Sequence, residues 1–400
     1  MIVLADQGYD QTFNTPASDP YLATTLRKQG ELLPNYYAVA QGDLANEIAL
    51  VSGQGPTPQT EANCPKFTDI KPRKFVADQQ VLGSGCVYPS RTLTLADQLT
   101  KAGDTWRAYV QDIGNGPHGQ ARTCRHPTLG SADSGTAASG HDPYVTWSNP
   151  FVYFQSIGKT ACAKDDVGLN QLTVDLKSAK TTPALSYIVP SPCDNGSDTP
   201  CLLGGKSGMT PADGFLRSVV PEIEASAAYK ADGLIAITFD QAPQTGPDAD
   251  ASSCCDNPTQ YPNLPTVVTT PTTPTTPTTP TTPTTPTTPP YNIAPPYDIA
   301  PTATTTTTPA TTTPTTTTPT ITTPASEQTG QTTPTGGGGE VGLLLISQYV
   351  KPGSTDALDY FNHYSLLSSI EELFGLSHVG YARDPALAAF AAPQYNHYTP

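Results

Sequence analysis

Four stretches of the chain put acidic or amide side chains directly after apolar runs. Asp6-Gln7 follows Ile2–Ala5, and Asp112 follows Trp106–Val110. The segment Cys193–Asp198 follows Leu185–Val189, and Asp240-Gln241 follows Leu234–Phe239. Ligands in α/β sheets bind beyond the carboxyl ends of the strands, so a catalytic or binding group is expected at these positions. A fifth stretch, QGDLANEIAL at 41–50, sets Asp43 at the head of a helical pattern. Asp is among the best helix N-caps, because its carboxylate accepts N–H bonds of the first turn and suits the helix dipole. Asp43 therefore reads either as a cap or as a group that does chemistry.

Other constellations are missing. The sequence holds no GxSxG elbow, P-loop, HExxH or GxGxxG. His118, His126 and His141 fall in the loop-rich segment 114–143 without ligand spacing, and surface or loop-packing roles are expected for them. His397 sits in YNHYTP, which reads as tail.

The elements that must position these residues follow from periodicity. Short β-branched-rich runs predict strands at Ile2–Ala5, Trp106–Val110, Leu185–Val189, Leu234–Phe239 and Val341–Ser347. Helical patterns occur at Tyr21–Gln29, Leu44–Val51, Leu93–Lys101, Leu169–Ser178, Ala212–Ala227 and Tyr364–Phe374. Strands alternating with amphipathic helices imply an α/β sandwich with a mostly parallel sheet.

One segment departs from this pattern. Residues 266–335 are mostly Thr and Pro, interrupted by PPYNIAPPYDIAP and followed by the GGGG of 336–339, which reads as linker. Such a tract cannot bury a core, and its prolines remove backbone donors. Loop closure cost grows only logarithmically with length, so the expectation is one discontinuous domain, 1–265 plus 336–400, with 266–335 as a disordered insertion.

The 400 residues carry a formal net charge of −15 with only 20 Lys and Arg. No K/R-rich run is visible, which argues against a nucleic-acid partner. No apolar run is long enough to span a bilayer. The eight cysteines form no CxxC pair, so a zinc ribbon is not expected. Their even number suggests disulfides and an oxidising compartment, with Cys64–Cys86 and Cys193–Cys201 the local pairings to try first. The opening MIVLADQGYD has no basic n-region or long apolar core and does not read as a signal peptide. The expected location is nonetheless secreted or cell-envelope.

Eight stretches taken in order resemble the bacterial phosphoesterase family that includes phospholipases C and AcpA-type acid phosphatases, within the alkaline phosphatase superfamily. They are VLADQGYDQTF, YYAVAQGDLANEIALVSGQ, LADQLTKAGDTWRAYVQD, NPFVYFQSI, SYIVPSPCDNGSD, VPEIEASAAYKADGLIAITFD, LLLISQYVKPG and NHYSLLSSIEELFGL. The resemblance implies an alkaline-phosphatase-like three-layer α/β sandwich, here stabilised by disulfides. It also implies hydrolysis of a phosphate ester, on a small molecule or a lipid. In that chemistry a hydroxyl at a helix N-terminus attacks phosphorus, and divalent metal ions lower its pKa.

Carried over residue by residue, the resemblance offers Asp6, Asp198, Asp240 and His363 as metal ligands, with Asp194 a weaker candidate. Asp43 falls at the nucleophile, where the family has a Ser or Thr. It is then a cap, a metal ligand, or a nucleophile forming an aspartyl phosphate. Gln7, Ser148, Ser197 and Gln241 replace the Asn, His, His and Glu expected at other site positions. Two functions stay open: a phosphoesterase with an altered metal and nucleophile site, and a catalytically silent relative that binds at the cell wall through the Thr/Pro tract.

Overall fold

The computed structural model describes residues 1–14, 21–117, 120–135, 137–197, 206–258, 260–265 and 336–390. The chain divides into two compact units, Met1–Val267 with Thr332–Pro400, and Val268–Gln331. The second lies outside the described residues, as do Asp198, Cys201, His118 and His397.

In chain order the strands are β1 (Ile2–Leu4), β2 (Glu31–Leu33), β3 (Tyr36–Tyr37), β4 (Lys71–Phe75), β5 (Val81–Ser84) and β6 (Trp106–Val110). They continue as β7 (Asp166–Gly168), β8 (Leu185–Val189), β9 (Leu234–Phe239), β10 (Leu343–Ser347), β11 (Ser354–Thr355) and β12 (Phe361–Asn362). The helices are α1 (Asp43–Ser52), α2 (Pro58–Glu61), α3 (Leu95–Ala102), α4 (Gly158–Asp165), α5 (Asn170–Asp175), α6 (Met209–Ala225), α7 (Ala227–Asp232) and α8 (His363–Leu373).

Eight strands form the central sheet in the order β11-β2-β10-β9-β1-β8-β6-β7. Pairing is parallel throughout except that β10 runs against both β9 and β2. Every residue of β1 and β10 is buried. Continuous apolar strands of this kind are what a sheet covered on both faces requires. β9 and β10, which flank the Thr/Pro tract in sequence, are hydrogen-bonded neighbours. A two-stranded sheet joins β3 to β12, and β4 with β5 forms a hairpin. β4 reads KPRKF with its first four residues exposed, a short basic edge that composition hides. Charged and Pro-containing edges of this kind discourage further strand pairing.

The capping chemistry is local and explicit. α3 starts in a capping box of Thr94 and Asp97 and ends on left-handed Gly103. α8 starts on Asn362, whose side chain accepts from Tyr364 N and Ser365 N. The segment expected as a helix at Tyr21–Gln29 is instead a π-turn at Tyr21–Thr25 followed by a 3-10 turn at Leu26–Lys28. A hydrogen bond from Gln29 N to Leu26 O ends it beside Gly30. At Gly30 a Cβ would lie 2.1 Å from the Leu345 carbonyl of β10, so the chain is held against the sheet where a longer helix would have to continue.

Disulfides join Cys64 to Cys86, as expected, and Cys124 to Cys162. They close loops of 22 and 38 residues, each stabilising by roughly 3–4 kcal/mol on the chain-entropy view. A third joins the adjacent Cys254 and Cys255. Among the described residues no helix is long and apolar enough to cross a membrane.

Candidate metal centre

β1 and β9 lie side by side in parallel, with Leu4 opposite Phe239. Asp6 and Asp240 therefore both leave the sheet at the carboxyl ends of neighbouring interior strands. Asp240 N donates to Leu4 O at 2.8 Å, and Asp6 N donates to the Asp240 carboxylate at 3.1 Å. Asp6 sits at φ 55, in the left-handed region that Asp tolerates better than most residues. That turn folds the chain back toward Asp240.

Asp43 arrives from the other direction, on α1. It is the first residue of the helix rather than its cap: the cap position is Gly42, and no side chain of the helix closes the end. Asn63 does this from outside, accepting from Leu44 N at 3.0 Å and donating to the Asp43 carboxylate at 2.6 Å. The expectation of Asp43 as an N-cap is thereby corrected. Its carboxylate is free of the helix backbone because a neighbouring loop has taken over the capping. Gly42 has φ 106, and a Cβ there would lie 2.4 Å from the Glu61 carbonyl, so only glycine lets the chain enter α1 at this angle.

The glycines of 336–339 also serve this junction and are more than linker. Ala38 N donates to Gly339 O, Gly338 N to Ala38 O, and Ala242 N to Gly338 O. They clamp the loop before α1 to the loop after Asp240. A Cβ on Gly338 would stand 2.5 Å from Ala40 O.

One oxygen each of Asp6, Asp43 and Asp240 lies within 4.8 Å of the others. Asp43 and Asp240 are buried and Asp6 is half-buried. Burial pushes the Asp240 carboxyl well above the usual carboxylate range, and the charges of Asp43, Asp6 and Glu47 push it further. Gln241 bridges the cluster. Its amide nitrogen donates to Asp6 at 3.2 Å and to Asp43 at 3.0 Å, while its carbonyl accepts from Gly42 N at 2.7 Å.

The residues fit a hard cation. Oxygen ligands sit at about 2.0–2.6 Å from Mg²⁺ or Ca²⁺, so two oxygens on one ion stand at most about 5.2 Å apart. The three carboxylates meet that limit, and an all-carboxylate set suits Mg²⁺, Ca²⁺ or Mn²⁺. A buried cluster of like charges is costly without a compensating cation or proton.

His363 stands behind this group. Its Nε2 lies 2.7 Å from the main-chain carbonyl of Asp240, and its Nδ1 lies 2.8 Å from the Tyr36 hydroxyl. A carbonyl only accepts, so Nε2 carries the proton and Nδ1 accepts from Tyr36. Burial lowers the His363 pKa to about 4, which keeps the ring neutral. Both nitrogens are engaged, so the structure brings Asp6, Asp43 and Asp240 together and sets His363 beneath them as a prop. The β3–β12 pairing, with Phe361 opposite Tyr36, is what puts Tyr36 within reach.

The remaining candidates have separate bonds. Asp194 accepts from Gln111 Nε2 at 2.6 Å and is not one of the three convergent carboxylates. Gln7 donates to Gly196 O at 2.8 Å, and Ser148 to Val145 O at 3.1 Å. Asn195 accepts from Ser197 N.

Glu47 escaped the sequence reading. It is buried on α1 one turn beyond Asp43 and hydrogen-bonded to the Tyr187 hydroxyl of β8. Burial raises its pKa to about 8; the Tyr187 bond opposes this and the Asp43 charge adds to it. The signal was present as an i, i+4 pair of acids in an otherwise apolar helix.

The model of the Phosphoesterase family matches residues 297–377, which includes β10 and all of α8, beginning with His363. No curated protein matches the chain. Among solved structures, the chain is similar to an alkaline phosphatase superfamily protein from Vibrio parahaemolyticus, at 10% identity and a TM-score of 0.45 over 97% of this chain and 69% of that one. It is similar to a phosphonate monoester hydrolase from Silicibacter pomeroyi at 11% identity and a TM-score of 0.45, over 100% of this chain and 77% of that one. The family match supports a phosphoester-hydrolase-like role. The segment 297–377 carries the sequence pattern of the Phosphoesterase family, the family that the motifs along the rest of the chain resemble.

Proposed function

We propose that the chain acts on phosphate esters with the help of a single divalent cation held by Asp6, Asp43 and Asp240. The discontinuous domain 1–265 plus 336–400 carries this site, with 266–335 as an insertion in its sequence. The observation that supports the reading most is the convergence of three carboxylates, two buried and one half-buried, from two strand ends and one helix start. Bound there, the cation would offset phosphate charge and lower the pKa of an attacking hydroxyl.

The chain's own residues do the positioning. Asp43 is the first residue of α1, so the positive end of the helix dipole stands at the site, a setting that favours an anionic substrate, while Asn63 and Gln241 take the N–H groups of Leu44 and Gly42. Asn63 and Gln241 hold the Asp43 carboxylate, and His363 fixes the turn that carries Asp240. Asp198 remains a further ligand in this proposal, and Asp43 stands where the family has a hydroxyl nucleophile. Without the cation the acids would repel phosphate, so activity depends wholly on it. An exported or cell-envelope location belongs to the proposal, and the disulfides are compatible with it.

A second reading is favoured by Gln241. Its amide protons engage Asp6 and Asp43, where the family has a further carboxylate. On that reading the chain is a catalytically silent relative that binds at the cell wall.

Hydrolysis of an aryl phosphate monoester and an aryl phosphate diester, with Mn²⁺ and after chelation, separates the two. Turnover that needs Mn²⁺ and disappears in Asp240→Ala supports the enzyme. A folded, Mn²⁺-loaded protein without turnover on either ester supports the silent relative.

A further inference from the structure

Cys254 and Cys255 are adjacent in sequence and bonded to each other, with Cα atoms 3.7 Å apart. A link across one peptide removes almost no entropy from the unfolded chain, unlike the Cys64–Cys86 and Cys124–Cys162 disulfides, which close long loops. Its effect must be local, and its place in the fold is specific. Cys255 and Asp256 both adopt positive φ, at 52° and 57°. The carbonyls of Cys254 and Cys255 both accept from Asn362 Nδ2, at 3.4 and 3.0 Å. The other end of that amide, Oδ1, caps α8 through Tyr364 N and Ser365 N. The next residue is His363, whose ring holds the Asp240 carbonyl.

The same segment touches the other arm of the acidic site. Asn257 Nδ2 and the Tyr261 hydroxyl both donate to Val39 O, at 3.2 and 2.8 Å. Val39 N donates to Asn46 Oδ1, and Asn46 also ties down Ala40 and Gly42 ahead of Asp43. The turn made by the paired cysteines thus contacts both the helix that carries His363 and the loop that delivers Asp43.

We infer that Cys254–Cys255 is a thiol–disulfide exchange site, opened by a dithiol, whose redox state sets how firmly Asp240 and Asp43 are held. A thiolate of the dithiol attacks one sulfur, the Cys254–Cys255 bond breaks, and a mixed disulfide forms. The second thiol of the reductant displaces the protein sulfur. The protein gains two electrons and two protons as Cys254 and Cys255 become thiols, and the dithiol leaves as its own disulfide. Access favours this pair: both of its cysteines are half-buried, whereas Cys64 and Cys86 are both buried and half-buried Cys124 is bonded to buried Cys162; Cys193 is half-buried as well. The inference that opening weakens cation binding rests on the cation site proposed above.

The test titrates the whole chain with dithiothreitol. Differential alkylation with mass spectrometry, Mn²⁺ affinity and amide hydrogen exchange at Tyr364 and Ser365 are followed together. Cys254 and Cys255 should alkylate before the other cysteines. Mn²⁺ binding should weaken about tenfold, as expected for loss of support behind a metal ligand. Exchange at Tyr364 and Ser365 should quicken, and C254S/C255S should reproduce both effects without reductant. If the oxidised protein binds no Mn²⁺, the cation site fails and exchange at Tyr364 and Ser365 alone decides the coupling. Opening no earlier than the other disulfides, or unchanged exchange and Mn²⁺ affinity after opening, would overturn the inference.

Discussion

The side-chain amide of Gln241 lies between two acids, 3.0 Å from the carboxylate of Asp43 and 3.2 Å from that of Asp6. A neutral donor there eases the repulsion between them but supplies no charge. Gln241 therefore makes the cluster tolerable without a cation and leaves a cation still favourable.

Gln241→Glu tests that balance. A further buried carboxylate should lower stability in the absence of metal by about 1–3 kcal/mol at neutral pH, the size usual for an unpaired buried polar or charged group. Saturating Mn²⁺ should recover the loss, because a ligand that binds only the folded state stabilises it. Urea unfolding with and without Mn²⁺ reads both. Equal stability of the variant and the parent without metal would show that residue 241 does not face the acids.

The contribution of Glu47 to the pH dependence of stability has a definite sign. Glu47 ionises near 4.5 when unfolded and at about 8 when folded. Between those values the unfolded chain has released a proton that the folded chain keeps, so rising pH favours unfolding. The stabilisation is complete below pH 4.5 and is lost as pH rises to about 8. Asp166, at about 7, and Glu371, at about 8, act in the same direction. His363, lowered to about 4, and the Met1 amino group, lowered to about 5, act the other way, so the variant isolates Glu47: from pH 5 to pH 8 metal-free Glu47→Gln should lose less melting temperature than the parent. A profile unchanged by Glu47→Gln would remove Glu47 from the account.

Asn63 joins helix capping to the site. Asn63→Ala removes the acceptor for Leu44 N and the donor to Asp43 together. Stability should fall by about 1 kcal/mol, the usual cost of losing a cap. Mn²⁺ affinity should fall as well, since Asp43 loses the bond that orients it. Calorimetric Mn²⁺ titration beside thermal melting checks the pair of effects. A stability loss with unchanged affinity would confine Asn63 to capping.

Asp43→Ser supplies a hydroxyl at the position where the proposed reading sets the family's nucleophile. It also removes a ligand. Hydrolysis of the aryl phosphate esters should not rise above the parent, and Mn²⁺ should bind at least about tenfold more weakly, in line with loss of one ligand contact. A clear gain in turnover would show that the hydroxyl was the only missing part.

Much of the fold was legible. β6, β8 and β9 have the ends read from the sequence, and the helix read at Leu44–Val51 lies within α1 with one residue more at each end. Five or six mostly apolar residues in a row carry enough pattern to be read. β2 and β7 have three residues each and β12 has two, too few for any period to show. At the site, Asp6 and Asp240 were legible because each follows a readable strand. The position of His363 was carried by resemblance, but its bond to Tyr36 spans 327 residues and depends on the short β3–β12 pairing. The role of Asp43 turned on Asn63, whose claim on the helix end no local pattern announces. Glu47 was passed over because helical periodicity explains its neighbours and not the residue itself.

Direct titration of the purified, metal-free chain with Mn²⁺ by calorimetry, beside Asp240→Asn, tests the central claim most closely. The account predicts a single ion per chain, protons released on binding, and affinity at least about tenfold weaker in a folded Asp240→Asn protein. A folded parent chain that takes up no Mn²⁺, or an Asp240→Asn variant that binds it as well as the parent, would contradict the account.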